Sequence, residues 1–253
     1  FILGLGFIFR VDSFRTYPEM QWEQTDYSRD YLVAHHIISY GEVPLTGPDG
    51  KFGTTHSSPV YFYFLALLLG IRDNIVWLGY ANLLLQTLTL LGIYLLTREL
   101  FGDKPALIAT GLFTLSQNIV NQSSSLWQPH VMQPFLVLSL LLLTWSHRKK
   151  SYASLLFSIA IFIFSITLHQ SVLGLVPIYL LVVTFILSRQ KRTLLAFGGC
   201  FLVFATSLFV SYLPPFLFAS PCAMPVADMF STIARSFFRQ PFLVLVQNFF
   251  IFI

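Results

Sequence analysis

The sequence predicts an all-α integral membrane protein, built as a polytopic bundle of transmembrane helices. Of its 253 residues, 55% are hydrophobic and only 10% are charged, whereas about a quarter of the residues of a soluble domain carry charge. The mean hydropathy is +0.71. Apolar runs of roughly 16–23 residues alternate with short polar clusters, and a helix of this length crosses the hydrocarbon core of a bilayer.

Three short basic clusters predict how these helices are oriented. They lie at Arg98–Lys104, His147–Lys150 and Arg189–Arg192, and together they hold eight of the fifteen Lys and Arg residues. By the positive-inside rule, all three clusters face the cytoplasm. Two membrane spans must therefore separate each cluster from the next.

The apolar runs supply the spans that this orientation requires, and we interpret the chain as a single transmembrane domain. The predicted spans are residues 75–97, 105–120, 131–145, 152–168, 172–187 and 193–213. Residues 214–241 are then an outer loop, and residues 242–253 begin a further span. Residues 1–10 are interpreted as the end of a first span, so that the chain is an internal piece of a longer protein.

Residues 11–74 are predicted to form one large loop on the outer side of the membrane. Eight of the eleven Asp and Glu residues fall between Asp12 and Asp73. The apolar run Pro59–Ile71 lies in this segment, but its length of about 13 residues is too short for a span. A span there would also place the Arg98–Lys104 cluster outside. We therefore expect this run to dip into the outer membrane surface.

Within this loop the sequence predicts a helix over Asp26–Tyr40. Thr25 or Asp26 is a suitable N-cap, and Gly41 is a suitable stop. Asp26 and Asp30 lie one turn apart and share a face of the helix. If the helix lies along the outer membrane surface, it holds both carboxylates near the lipid headgroups.

The order of motifs in this region resembles that of the GT-C membrane glycosyltransferases. The acid-bearing helix is followed by a G-x-x-P-L-x-G-P turn at Gly41–Pro48, a P-x-Y-x-Y segment at Pro59–Tyr63 and then the next span. Weaker similarities occur at Ser125–Pro129 and Leu168–Pro177. The group contains the dolichyl-phosphate-mannose protein mannosyltransferases of glycosyltransferase family 39 and the lipid A aminoarabinose transferase. The resemblance implies a GT-C type bundle whose large first extracytoplasmic loop carries interfacial helices.

The resemblance also implies a reaction. It is the transfer of a sugar from a polyprenyl-phosphate donor to an acceptor hydroxyl, with inversion, on the extracytoplasmic face. Asp26 stands at the position of the family's catalytic first-loop acid and would deprotonate the acceptor. A carboxylate near a low-dielectric interface has its pKa raised towards the range that suits a general base. The alternative is that Asp26 only caps the helix.

Asp30 is the second candidate for a catalytic carboxylate. Its alternative role is that of a solvated helix-surface carboxylate, paired with a neighbouring Arg. Many members of the family carry a Glu directly after the first acid, whereas Tyr27 follows Asp26 here. This difference weakens any prediction of a metal-binding acidic pair. No cofactor is therefore implied, and a divalent metal is an alternative that no motif supports.

Side chains near these acids and in the other outer turns are candidates for substrate binding. They are Arg29, Lys51, His56, Tyr61, Trp127, Gln128 and His169. Arg29 and Lys51 are among the outer cations that a donor phosphate needs, and His56 is a further candidate for phosphate contact. Trp127 either stacks on a sugar or belongs to the aromatic belt at the interface. His169 either lies near the substrate cavity or caps a helix end.

Several other classes of protein are disfavoured. The sequence has no HExxH, GxSxG or phosphate-binding loop, which argues against a protease, an ATPase or a soluble nucleotide-sugar enzyme. The basic residues lie in short loop clusters and predict no nucleic-acid partner. The expected partners are the lipid-linked donor, a lipid, glycan or protein acceptor, and membrane lipids. The expected location is the plasma or inner membrane, with the active site outside.

Two alternatives to an enzyme stay open. One is a transporter or flippase of a lipid-linked sugar, and the other is a non-catalytic membrane subunit with the same fold. Transporters place functional charges inside their spans, and the predicted spans are almost free of ionisable residues. An activity assay on an Asp26 variant would separate an enzyme from a non-catalytic subunit.

Overall fold

The computed structural model describes residues 1–16, 25–48, 57–124 and 126–189, with single helical positions at 198, 201 and 205. The regular elements of these segments are helices, which confirms the predicted all-α class. In chain order they are α1 (Ile2–Thr16), α2 (Thr25–Tyr40), α3 (Val60–Ile71), α4 (Ile75–Phe101), α5 (Asp103–Leu115), α6 (Gln117–Asn121), α7 (Gln128–Lys149), α8 (Tyr152–Leu168) and α9 (Val176–Arg189). Short 3-10 turns at Gln122–Ser124 and Gln170–Leu175 follow α6 and α8.

Three helical segments of the described chain are long and apolar enough to cross a membrane. They are Ile75–Phe101, Gln128–Lys149 and Gln170–Arg189, the last of which joins a 3-10 turn to α9. Large apolar side chains remain on the outward faces of the helices, among them Leu112 and Leu181. Extended apolar surface of this kind marks contact with lipid. The chain is an integral membrane protein.

Local sequence sets where two of the long helices end. Gly102 has a φ of 92°, in the region that favours glycine, and it ends α4 before α5 begins. Lys150 adopts a left-handed conformation at the end of α7. The hydroxyl of Ser151 then accepts a hydrogen bond from the backbone N–H of Ser154 at 3.2 Å, which caps α8. These turns bring α4 against α5 and α7 against α8.

Two of the predicted spans are less regular than expected. The span predicted over residues 105–120 is interrupted at Ser116, whose extended backbone separates α5 from α6. The span predicted over residues 172–187 begins as a 3-10 turn, and α9 starts at Val176. Pro177 lies in the first turn of α9, where its missing N–H removes no helical hydrogen bond.

The predicted outer loop, residues 11–74, is largely helical where the structure describes it. α1 continues past the predicted span end to Thr16, α2 matches the predicted helix within one residue, and α3 occupies the short apolar run. The predicted span over residues 193–213 falls almost wholly outside the described residues, and residues 214–253 fall wholly outside them. The side of the membrane that each turn faces stays a prediction.

An apolar cluster joins α2 and α3 to the bundle. Its buried members on α2, α3, α4, α7 and α8 include Ala34, Tyr61, Leu65, Leu78, Val131 and Leu168. Because all five helices contribute side chains, the cluster fixes α2 and α3 relative to the start of α7 and the end of α8. This is the end of the bundle where the candidate residues gather.

The chain between α2 and α3 is held by a close backbone approach. The N–H of Gly47 donates to the carbonyl of Ser57 at 2.8 Å, and the N–H of Ser57 donates to the carbonyl of Pro48 at 3.0 Å. A Cβ atom at position 47 would lie 2.3 Å from the carbonyl oxygen of Ser58, so only glycine fits there. This clasp joins the two ends of the segment that contains residues 49–56.

Candidate active site

The first turns of α2 hold two acids and one cation in a single ion-pair network. The Nη1 atom of Arg29 donates to Oδ1 of Asp26 at 3.0 Å. Its Nε and Nη2 atoms both donate to Oδ1 of Asp30, at 2.9 and 2.7 Å. Helical spacing places Arg29 one turn after Asp26, within reach of its carboxylate, and the long Arg29 side chain also reaches the adjacent Asp30. The structure therefore brings three of the predicted site residues together.

The two carboxylates of this network differ sharply in exposure. The side chain of Asp26 is 49% exposed, and that of Arg29 is 41% exposed. The side chain of Asp30 is only 2% exposed. Its Oδ2 atom has no hydrogen-bond partner among the described residues. For Asp30 the sequence predicts, as an alternative role, a solvated carboxylate paired with a neighbouring Arg. The pairing is present, but Asp30 is buried rather than solvated.

Burial controls the electrostatics of Asp30. Desolvation raises the pKa of Asp30 from 3.8 to about 6, although the hydrogen bonds and charge of Arg29 act to lower it. The negative charge of Asp26 adds to the rise. Burial lowers the pKa of Arg29, but its pairing with Asp30 and Asp26 outweighs this effect, so the net change is upward. Near neutral pH, Asp30 is therefore mostly ionised and paired with the Arg29 guanidinium.

Tyr61, on α3, lies beside this network but inside the protein. Its side chain is fully buried, and its hydroxyl donates to the carbonyl of Leu126 at 3.5 Å. Burial raises the pKa of the Tyr61 phenol well above its usual value, and the nearby charge of Asp30 adds to this rise. The contact with Leu126 connects α3 to the chain just before α7. Tyr61 thus lies in the electrostatic field of the acids of α2 and is bonded to the chain that leads to the second group of candidate residues.

The second group lies where α7 begins and α8 ends. The ring of Trp127 meets the ring of His130 edge-on, with 5.5 Å between centroids. His169 interacts electrostatically with His130, and its Nδ1 atom is 2.7 Å from the hydroxyl of Ser171. Burial, with a contribution from His130, lowers the pKa of His169 to about 4. His169 is therefore neutral at physiological pH.

Other candidate residues have less direct positions. Gln128 is buried in the first turn of α7. Lys51 and His56 lie outside the described residues, although the clasp at Gly47 marks the base of the segment that carries them. His130 was not a sequence candidate. The signal that could have identified it is its position one helical turn after Trp127, at the start of α7.

A hydrogen bond across the bundle holds the backbone of His130 in place. The side-chain amide of Gln86, on α4, donates to the backbone carbonyl of His130 at 2.8 Å. This bond fixes the first turn of α7 against the middle of α4. Within the described segments, no group of three or more His, Cys, Asp or Glu side chains is placed to hold a metal ion. The cation that pairs with both of these acids is the guanidinium of Arg29.

The later part of the chain is similar to a known protein family. Residues 56–215 match the family model described as dolichyl-phosphate-mannose-protein mannosyltransferase. This segment includes α3 through α9 and the turns that carry Trp127 and His169. No curated protein matches the chain. The first turn of α2 precedes the matched segment, so the case for Asp26, Arg29 and Asp30 rests on their geometry.

Proposed function

Because the chain belongs to the dolichyl-phosphate-mannose-protein mannosyltransferase family, it is a membrane glycosyltransferase, and we propose that it moves a sugar from a polyprenyl-phosphate donor to an acceptor hydroxyl. In this proposal the reaction takes place on the extracytoplasmic face and inverts the anomeric configuration. The acceptor is a hydroxyl of a lipid, a glycan or a protein. Asp26 is the general base.

The half-exposed carboxylate of Asp26 is the observation that carries this proposal. A general base must be reachable by the acceptor and must lie within hydrogen-bond distance of the proton that it removes. Asp26 is open to solvent, and its Oδ1 atom is already held by Arg29. The bond to Arg29 does not use its Oδ2 atom, which in this proposal takes the acceptor proton. The buried carboxylate of Asp30 is closed to such contact.

The transfer proceeds as a single displacement. The acceptor O–H donates its proton to the Asp26 carboxylate as the acceptor oxygen forms a bond to the anomeric carbon. The bond between that carbon and the phosphate oxygen breaks, and polyprenyl phosphate leaves with the electron pair. Attack from the face opposite the phosphate inverts the anomeric centre. The negative charge of Asp26 also stabilises the positive charge that develops on the sugar ring.

The other candidate residues would bind the donor. The exposed part of the Arg29 guanidinium, together with Lys51 and His56, would face the phosphate. Trp127 is 37% exposed, and a sugar can stack on its ring. His169 would act as a neutral hydrogen-bonding group. Tyr61 and Gln128 are buried and would act on the substrate through their neighbours.

Proteoliposomes that contain the purified protein can test this reaction. Radiolabelled polyprenyl-phosphate mannose is added together with cell-envelope lipids, glycans and proteins as acceptors, and empty liposomes are the control. We expect the label to move from the polyprenyl fraction to an acceptor, with inverted anomeric configuration. Movement of the intact donor between leaflets without sugar transfer would identify a flippase instead. A product with retained configuration would contradict the single displacement.

A further inference from the structure

The buried carboxylate of Asp30 has no direct route to a substrate, and its partner is known. Only 2% of its side chain is exposed, and its Oδ1 atom accepts two hydrogen bonds from Arg29. Its Oδ2 atom has no partner among the described residues. A buried charge with an unsatisfied oxygen is costly for a fold. Asp30 therefore requires an explanation other than stability.

The electrostatics of the site lead to the same conclusion. Burial raises the pKa of Asp30 to about 6, even though Arg29 opposes the rise. The folded protein would thus favour a neutral side chain at this position. Near neutral pH, however, Asp30 is mostly ionised and paired with the guanidinium. The fold carries this charge at a cost in stability, as proteins do at functional sites.

The side chain of Arg29 connects the buried carboxylate of Asp30 to the exposed carboxylate of Asp26. The Nε and Nη2 atoms of Arg29 are directed at Asp30, and its Nη1 atom is directed at Asp26. Since a guanidinium is planar and rigid, two bonds to a buried partner fix the direction of the third. The side chain of Asp26 is half exposed, and without this bond it could occupy other rotamers.

We propose that Asp30 is a positioning residue of the transfer site, which acts through Arg29 to orient the carboxylate of Asp26 towards the acceptor hydroxyl. This inference rests on the proposed function, because it takes Asp26 as the base. Asp30 itself does not touch the substrate. Its role is to keep the guanidinium of Arg29 in place between the interior and the exposed acid.

Asp30→Asn tests the proposal, since it preserves size and removes the charge that orders Arg29. We expect kcat to fall about tenfold or more, as for other small displacements of a catalytic group. The KM for the donor should change little, and the variant should melt no lower than the wild type. A purely structural residue would instead give a less stable protein and a loss of activity that follows the loss of folded protein. That second result would overturn the proposal.

A double-mutant cycle tests whether Asp30 acts through Arg29. In the background of Arg29→Gln, Asp30→Asn should lower kcat by less than a further factor of about two, because the connecting side chain is already gone. If the two substitutions lower kcat by independent factors that multiply in the double variant, the proposal is contradicted. Asp73→Asn is the matched control, since Asp73 is an exposed acid that pairs with His35 away from this network. Its kcat should equal that of the wild type.

The same assay separates this inference from the proposed function. If Asp26→Asn abolishes transfer and Asp30→Asn transfers at the wild-type rate, Asp26 remains the base and the positioning role is wrong. If Asp26→Asn transfers at the wild-type rate, both the base assignment and the positioning role are wrong.

Discussion

Two carboxylates on one helix, a single turn apart, occupy opposite environments in this protein. The first, Asp26, is half exposed, whereas Asp30 is almost fully buried. Their spacing on a common face was predictable from the sequence, because residues four apart are neighbours on a helix. Their exposures were not predictable, because burial depends on how α2 packs against α3 and Tyr61. The chemistry that each acid can perform is therefore set by tertiary packing.

The burial of Asp30 predicts how stability depends on pH. The pKa of Asp30 rises from 3.8 to about 6 on folding, so folding favours its protonated form. Its contribution to stability is greatest below about pH 4 and is lost as the pH rises through about 6. Asp30→Asn lacks this dependence. The variant should match the wild type near pH 4 and exceed it at pH 7 by up to about 3 kcal/mol.

Thermal unfolding of the solubilised protein, measured between about pH 4 and pH 8, checks this expectation. The gap between the two melting curves should open as the pH rises. A gap of constant size across this range would show that Asp30 is not the titrating group.

At the scale of elements, α2 and α3 form a unit whose connection is fixed at both ends. Gly47 and Ser57 are joined through their backbones, and the hydroxyl of Tyr63 donates to the carbonyl of Pro44. The apolar cluster around Tyr61 then packs this unit on α4, α7 and α8. The predicted interfacial segment is thus a helix that packs against the acid-bearing helix and the bundle. This arrangement sets the distance between Asp26 and the turn at Trp127.

Gly47→Ala tests the importance of this clasp. The new Cβ would lie 2.3 Å from the carbonyl oxygen of Ser58, so the backbone must separate. We expect a loss of about 1–3 kcal/mol of stability, the usual cost of overpacking. We also expect a higher KM for the donor, since Lys51 and His56 are carried by the clasped segment.

Gly70→Ala is the matched control for this experiment. Gly70 lies on α3, and an added Cβ there meets no atom within 4 Å. The control should keep the wild-type melting temperature and KM. If the variant at position 47 behaves like this control, the clasp has no role in the site.

At the scale of the whole molecule, the membrane bundle and several helix limits were predictable from the sequence. α8 begins and ends at the predicted residues, because a capping serine precedes its apolar run and a polar turn follows it. The break at Ser116 was not predicted, although the polar residues Ser116, Gln117 and Asn118 interrupt the apolar run there. The hydrogen bond from Gln86 to His130 could not be predicted from the sequence either. It joins residues far apart in sequence, and only the packing of α4 on α7 brings them together.

The rate of the Asp26→Asn variant is the most direct test of Asp26 as the base of sugar transfer. Asn has the size of Asp, and position 26 lies inside the first turn of α2, which begins at Thr25, so the protein should fold and insert. Transfer per amount of protein in the membrane should fall by a factor of about 10² or more. Glu42→Gln, which removes an exposed acid paired with His36 just after α2, should keep the wild-type rate. Wild-type transfer by well-expressed Asp26→Asn would contradict the claim and leave Asp26 as part of the helix surface alone.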